Sequence, residues 1–401
     1  MMTFKKTVFS ILTLCIILLV SGIIIAYGRG YRFDTKQKSF GSTGIISVTS
    51  DPTGATITID NKKVGATNTT VTIKPGWYTV NISKEGYQSW EKSIRVQGEV
   101  VVSTHAVLFP SNPSLSAITT GGIASPILSP DGSKLAFTMP TTPYATNGAQ
   151  LVDRGGVWIL DLIDKPLGLN RDAKQLLQAT ALDTTSAALT WSPDSKQLLI
   201  DIPNRTTTAS YLIDADKLND YAKPLYEKQT TMNDWALQQQ AKEKEKLLTL
   251  TPNLITIATG SMKIVSFSPD ESKILYEASK SATIPTIIDP PLLGTNSTEE
   301  TRTIIPNTLY IYDIKEDKNY LVGNSKNLIL QWLPNSRQLI TAGNNKIDVL
   351  DYDGTNRKTV YAGPFWDSFV APWTNASKLV ILTNLNPSAS TLPNLYAINI
   401  K

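Results

Sequence analysis

The sequence predicts a mainly β chain with three parts: an N-terminal transmembrane helix, a small β-sandwich, and a β-propeller of five or six blades with a helical insertion. Three observations predict it. Thr7 to Tyr27 holds no charged residue, the next part has short β-branched runs separated by Pro and Gly turns, and a hairpin motif then recurs five times. A length of 401 residues allows two or three domains, and 41% hydrophobic with 18% charged residues is a folded rather than a disordered composition. Thirty-eight basic against 34 acidic residues give +4 with no dense basic run, so a nucleic-acid partner is not expected. One His and one Cys exclude Cys2His2 zinc sites, intramolecular disulfides and His-rich metal sites.

Residues 1–6 read as a cytoplasmic stub and residues 7–27 as a signal anchor. As a helix the apolar run is about 31 Å long, which matches a bilayer core. A cleaved signal peptide is the alternative, because Lys5 and Lys6 form a basic start and Ala26-Tyr27-Gly28 loosely imitates a cleavage site. Charge does not settle the orientation, since Arg29, Arg32, Lys36 and Lys38 follow the helix. The bulk of the chain is expected outside the cytoplasm because long C-terminal domains translocate largely regardless of charge. Cys15 reads as a membrane-buried apolar residue, with lipidation as the alternative.

After a spacer at 28–43, residues 44–108 read as a compact sandwich of about five strands. The runs Ile45–Val48, Ala55–Ile59, Val71–Ile73, Tyr78–Ile82 and Ser93–Val96 alternate with a period near two. Asp51-Pro52-Thr53-Gly54, Asp60-Asn61-Lys62, Lys74-Pro75-Gly76 and Lys84-Glu85-Gly86 separate them, since Pro presets φ and Gly accepts positive φ. Trp77, Tyr78, Tyr87 and Trp90 are the natural core filling of so small a domain; a sugar-stacking platform is the other reading. His105 stands between the two predicted domains with no neighbouring nucleophile and reads as structural.

These residues resemble the PEGA domain, a small β-domain of bacterial and archaeal surface and membrane-anchored proteins. The resemblance rests on Ser50-Asp51-Pro52-Thr53-Gly54-Ala55, Ile59-Asp60-Asn61-Lys62-Lys63-Val64-Gly65, Lys74-Pro75-Gly76-Trp77-Tyr78 and Lys84-Glu85-Gly86-Tyr87 in that order. Thr53 occupies the usual Glu position, and Ala66-Thr67-Asn68 stands where a Thr-Pro pair is common. The resemblance implies a binding or spacer module near the envelope, without catalysis.

Residues 115–401 carry the repeat. Leu128-Ser129-Pro130-Asp131-Gly132, Trp191-Ser192-Pro193-Asp194-Ser195 and Phe267-Ser268-Pro269-Asp270-Glu271 are each followed by Lys or Ser-Lys and an apolar run. Trp332-Leu333-Pro334-Asn335-Ser336 and Trp373-Thr374-Asn375-Ala376 are drifted copies. Pro at the second position of a type I turn, between two strand-like runs, makes each copy a hairpin, and a second recurrent strand follows downstream. Hairpins with extra strands repeated radially make propeller blades. Five hairpins give five blades, or six if residues near 105–120 pair with the C-terminal strand. The repeat spacings of 63, 76 and 65 residues exceed the roughly 40 to 45 of a plain blade. The surplus reads as surface loops at Pro140–Asp153 and Ile284–Ile305 and a helical insertion at about 217–250. Leu237, Ala241, Lys244 and Leu248 trace one face of that helix, which is expected to pack on the rim; partner docking is the alternative.

This part resembles the WD40-like propeller repeats of the TolB family, and Asp351-Tyr352-Asp353-Gly354-Thr355-Asn356-Arg357 matches the aspartate-rich outer turn. That string lacks the distal Glu and flanking helices of a calcium loop. The resemblance implies a scaffold for protein or glycan contacts. No Gly-x-Ser-x-Gly elbow, phosphate loop or metal-spaced His/Cys set occurs, and the aspartates sit mostly where turns favour them. The expected function is therefore a non-catalytic binding or scaffold protein of the cell membrane and envelope. It needs no cofactor, has no catalytic or metal residues to nominate, and engages an envelope protein, peptide or cell-wall glycan. A carboxylate-dependent propeller glycosidase or lyase and a structural surface spacer are the alternatives.

Overall fold

The computed structural model describes residues 2–28, 32–34, 39–141, 155–164, 172–179, 182–204, 207–385 and 392–401. It divides into two units, Met1–Leu108 with Ile288–Glu299, and Phe109–Ile287 with Glu300–Lys401. Of the loop expected at Pro140–Asp153, residues 142–153 lie outside the described residues.

Helix α1 spans Met2–Gly28. Among the described residues, however, no helix is long and apolar enough to cross a membrane. The side chains of α1 from Ile11 to Ile25 are all exposed. In the expected spacer, Arg32–Asp34 pairs antiparallel with Ser39–Gly41.

The sandwich has seven strands rather than five. One sheet orders Thr69–Ile73, Gly44–Asp51 and Val101–Val107, and the other orders Lys62–Ala66, Thr56–Ile59, Gly76–Ser83 and Trp90–Val96. Strict alternation along Gly44–Asp51 points Ile46 and Val48 inward, against Ile57, Val80, Ile82 and Ile94 of the facing sheet. Lys62–Ala66 escaped the sequence pattern because it is an exposed, charged edge strand, as sheets need to avoid edge pairing. His105 does not stand between domains. It lies within Val101–Val107, opposite Thr49, whose Oγ1 is 2.9 Å from its Nδ1.

Among the described residues the second unit holds five four-stranded antiparallel sheets. Sheet one is Ala124–Leu128, Lys134–Met139, Gly156–Asp161 and Lys174–Gln178; sheet two is Ala188–Trp191, Gln197–Pro203, Thr208–Asp214 and Lys223–Pro224. Sheet three is Met262–Phe267, Lys273–Ala278, Thr308–Asp313 and Lys318–Asn324; sheet four is Gln331–Trp332, Gln338–Gly343, Lys346–Asp351 and Lys358–Ala362. Sheet five joins Val370–Pro372, Lys378–Thr383 and Asn394–Asn399 to Leu115–Ala117. The expected pairing of the early segment with the C-terminal strand therefore occurs, but it completes a fifth sheet and makes no sixth. This meander, with its two chain ends woven into one sheet, is the strand order of propeller blades.

Two insertions depart from expectation. Between sheets two and three stand α2 (Lys228–Leu248) and α3 (Pro252–Ser261). The stripe Leu237, Ala241, Lys244 and Leu248 does not pack: Leu237 is 63% and Leu248 65% exposed, while Trp235 is the buried residue of α2. α3 starts with Pro at its first turn and buries Leu254 and Ala258 against Tyr276 and Tyr310 of sheet three. The second insertion, Ile284–Ile305, is not a free loop. Ala282–Thr283 pairs with Thr303–Ile304, Arg302 Nη1 donates to Pro285 O at 3.0 Å and to Asp317 Oδ1 at 3.0 Å, and Ile287 N–H donates to Asp317 Oδ2 at 2.7 Å. From that staple residues 288–299 run out to the first unit, where Ser297 Oγ accepts from Arg95 N–H at 2.9 Å.

Candidate functional site

The five hairpin turns show what the motif aspartates do. In each copy the backbone closes alike: Ser129, Ser192, Ser268, Leu333 and Trp373 donate N–H to Lys134, Gln197, Lys273, Gln338 and Lys378 at 2.8–3.0 Å. The fourth motif residue has positive φ throughout, at Gly132, Ser195, Glu271, Ser336 and Ala376. In the three intact copies the Ser hydroxyl donates to the Asp carboxylate at 2.6–2.7 Å, from Ser129 to Asp131, Ser192 to Asp194 and Ser268 to Asp270. The same hydroxyl accepts the N–H that opens the next strand, at Lys134, Gln197 and Lys273. Burial alone would raise the proton affinity of Asp131 and Asp270, but hydrogen bonds from Ser129 and Ser133, and from Ser268 and Ser272, outweigh it and hold both below the usual carboxylate range. Asp194 is held low chiefly by Ser192. Carboxylates so committed are turn caps and poor proton donors.

Neighbouring sheets are sewn together at these turns. Between sheets one and two, Asp131 N–H donates to Ser195 Oγ at 3.3 Å and Trp191 Nε1–H to Ile127 O at 3.1 Å; between three and four, Asp270 N–H donates to Ser336 Oγ at 3.0 Å. Sheet five joins sheet one through Thr374, whose N–H and Oγ1–H both reach Leu162 O, at 2.9 and 2.8 Å. Sheets two and three differ. The position of Ser195 and Ser336 is taken by Glu271, and its carboxylate pairs with Lys246 of α2 at 2.8 Å. Lys242 Nζ, one turn earlier, donates to Pro193 O at 2.8 Å, and Lys228 at the start of α2 pairs with Asp201 of sheet two at 2.7 Å. A helix with lysines four residues apart thus replaces a direct seam.

A cleft of about 430 Å³ lies at this seam, within the range of ligand sites. Gln239, Lys242, Glu243 and Lys246 of α2 form one wall, Ile264 to Phe267 of sheet three the other, and the turn residues Pro130, Asp131 and Pro193 one end. Lys246 Nζ also stands 5.6 Å from the Phe267 ring centre, and Glu243 accepts from Gln239 at 2.9 Å. Sequence reasoning missed this site. Its one readable signal was the break in the repeat at Glu271, where a carboxylate stands in place of Ser or Gly. Among the described residues no group of three or more His, Cys, Asp and Glu is placed to hold a metal.

In the first unit the turn Ser50–Ala55 is pinned from both sides. Ser50 Oγ donates to Pro52 O and lies 2.6 Å from Thr67 Oγ1, which accepts from Ala55 N–H at 3.0 Å, and Gly54 has φ +73°. Asp60 and Asn61 make the next hairpin with φ of 46° and 63°, the geometry that favours such residues. Residues 43–112 match the PEGA domain family. Within this PEGA domain Thr67, at a departure from the usual pattern, does the pinning, and Lys84 Nζ donates to the carbonyl of Thr53 at 2.7 Å. Trp90 is 3% exposed in the core, with Tyr78 and Tyr87 packed against it. Trp77 alone of the four aromatics faces outward, at 59% exposure, opposite Arg95 in register. Three rings pack as expected, and the four do not share one exposed face.

No curated protein matches the chain. Many solved structures match the chain, among them two of low identity. One, described as TolB from Agrobacterium tumefaciens, is 14% identical over 67% of this chain and 76% of that one, with a TM-score of 0.22. The other, TolB from Acinetobacter baumannii, is 12% identical over 81% and 60%, with a TM-score of 0.23. At such scores the fold rests on the strand order described above.

Proposed function

We propose that the protein is a membrane-anchored binding protein of the cell envelope, non-catalytic, whose five sheets form a propeller scaffold and whose ligand enters the cleft between sheets two and three. The observation that carries this reading is the replaced seam: α2 holds the two sheets through Lys242 and Lys246 and leaves space where the seams one–two, three–four and five–one bond directly. The committed turn carboxylates support a non-catalytic role, since glycoside cleavage needs one carboxyl poised as an acid, and among the described residues each carboxylate whose proton affinity is displaced is displaced downward. The exposed side chains of α1 from Ile11 to Ile25 support an anchor, because so continuous an apolar surface has no favourable place in water.

A photo-crosslinking residue at Gln239 in the full chain, compared with one at the exposed Ile163 in the bend after Gly156–Asp161, tests the cleft in envelope preparations. A specific adduct from position 239 supports the reading. Equal labelling from both positions, or turnover of cell-wall glycan by the purified chain, overturns it. Turnover lost on Asp131→Asn or Glu243→Gln would favour the glycosidase or lyase, since both carboxylates line the cleft. The anchor is tested through Cys15, the single cysteine of the chain. In membranes a water-soluble maleimide should leave it unlabelled until detergent denaturation, and ready labelling in intact vesicles would count against insertion.

A further inference from the structure

We infer that the cleft takes an extended peptide, which adds as a strand to the outer edge of Met262–Phe267; this rests on the cleft being the binding site. The backbone carries the inference. Met262–Phe267 is the first strand of sheet three and pairs only on one side, with Lys273–Ala278. Its other edge has no ladder partner among the described residues, and Ile264 to Phe267 line the cleft. An unpaired edge presents alternating donors and acceptors at a fixed spacing, a template that an extended backbone satisfies without any particular side chain.

Register adds to this. The ladder passes from Ile264 opposite Tyr276 to Ser266 opposite Leu275, so Val265 is the extra residue of a bulge. It is 49% exposed despite its apolar side chain, and so offers an apolar contact to the residue opposite it on an added strand.

Charge then selects the occupant. Two cations, Lys242 and Lys246, and two anions, Asp131 and Glu243, line the cleft and cancel. Each already has a partner: Pro193 O for Lys242, Glu271 for Lys246, the serines of its own turn for Asp131, and Gln239 for Glu243. Such a lining gives no net attraction to a polyanion or polycation, and an uncharged peptide backbone with small apolar side chains complements it. The approaching strand would lie between α2 and the edge, with Phe267 and Val265 beneath alternate residues.

The test pans a displayed library of random heptapeptides against the full chain in detergent micelles, with counter-selection on Val265→Asp. The position is half-exposed, so the variant is expected to fold, and circular dichroism verifies it. The inference expects enriched peptides with alternating apolar residues that protect the amides of residues 263–267 from hydrogen exchange. They should bind Val265→Asp about tenfold more weakly, and lose binding when alternate amides are N-methylated. Failure to enrich any peptide, binding insensitive to N-methylation, or protection mapping elsewhere overturns it. A soluble glycan fragment that binds and protects α2 but leaves residues 263–267 unprotected would sink the strand-addition inference while sparing the cleft as a site. Labelling at position 239 no stronger than at 163 would remove both.

Discussion

Ser268→Ala measures what the repeat motif contributes. The residue is 1% exposed and sits at the start of the third hairpin. Its Oγ donates to Asp270 Oδ1 at 2.7 Å and accepts from Lys273 N–H at 2.9 Å. Alanine keeps almost the same volume, so no cavity forms, but the amide of Lys273, itself only 9% exposed, loses its acceptor. Stranding a buried N–H costs about 1–3 kcal/mol. The lost bond to Asp270 adds less, because that carboxylate keeps three contacts to Ser272 and is 45% exposed. We expect about 2 kcal/mol, or about 3–4 °C in the melting temperature of a unit this large. Thermal and urea unfolding followed by circular dichroism give the number. The fourth hairpin supplies the control: Leu333 replaces the Ser there, and Asn335 Oδ1 accepts from Arg337 and Gln338 N–H at 3.0 and 3.2 Å, so Asn335→Ala should cost a similar amount. A Ser268→Ala protein within about 0.5 kcal/mol of wild type would refute the reasoning, since the turn would then hold by backbone alone.

Three other outcomes are expected. Trp90→Ala should destabilise the PEGA domain by about 3–5 kcal/mol, whereas Trp77→Ala, at an exposed position, should change its melting by less than about 0.5 kcal/mol; equal effects would contradict the packing described. Asp131, Asp194 and Asp270 bind protons more weakly folded than at their ordinary 3.8, so their contribution is complete above about pH 5 and is lost as pH falls through 3.8 toward the folded values. Urea midpoints between pH 7 and 3 should fall accordingly, and less steeply in Asp270→Asn; parallel curves would deny the linkage. Gly294 has φ +72°, and a Cβ there would lie 2.7 Å from Val101 O, so Gly294→Val should dislodge residues 288–299 and speed their hydrogen exchange, while unchanged exchange would show the segment is held elsewhere.

The hairpins were readable because their chemistry is local. The Ser-Pro-Asp-Gly repeat places every group needed for the turn within six residues, and even Trp373-Thr374-Asn375-Ala376 closes with the same backbone bonds. The sandwich core was readable for a similar reason: alternation along Gly44–Asp51 reports which side is covered. The strand Lys62–Ala66 was not, because an exposed edge strand carries no alternation. Helix α2 was found as a helix, yet its stripe of Leu237, Ala241 and Leu248 pointed to the wrong face. Apolar spacing says which residues prefer burial, whereas Trp235 and the lysine bridges to Pro193 and Glu271 decided the seating.

From the sequence alone, then, come the two β regions, the five repeats, the apolar N-terminal run and the scarcity of reactive residues. Each follows from groups a few positions apart along the chain. The tertiary structure alone decided three things: the early segment Leu115–Ala117 completes the fifth sheet, residues 288–299 leave the second unit for the first, and the seam between sheets two and three is opened by a helix. These depend on pairs such as Leu115 with Ile398, or Arg95 with Ser297, hundreds of residues apart. No local propensity encodes such a pairing; it is selected only when the whole chain buries its apolar surface and satisfies its amides together.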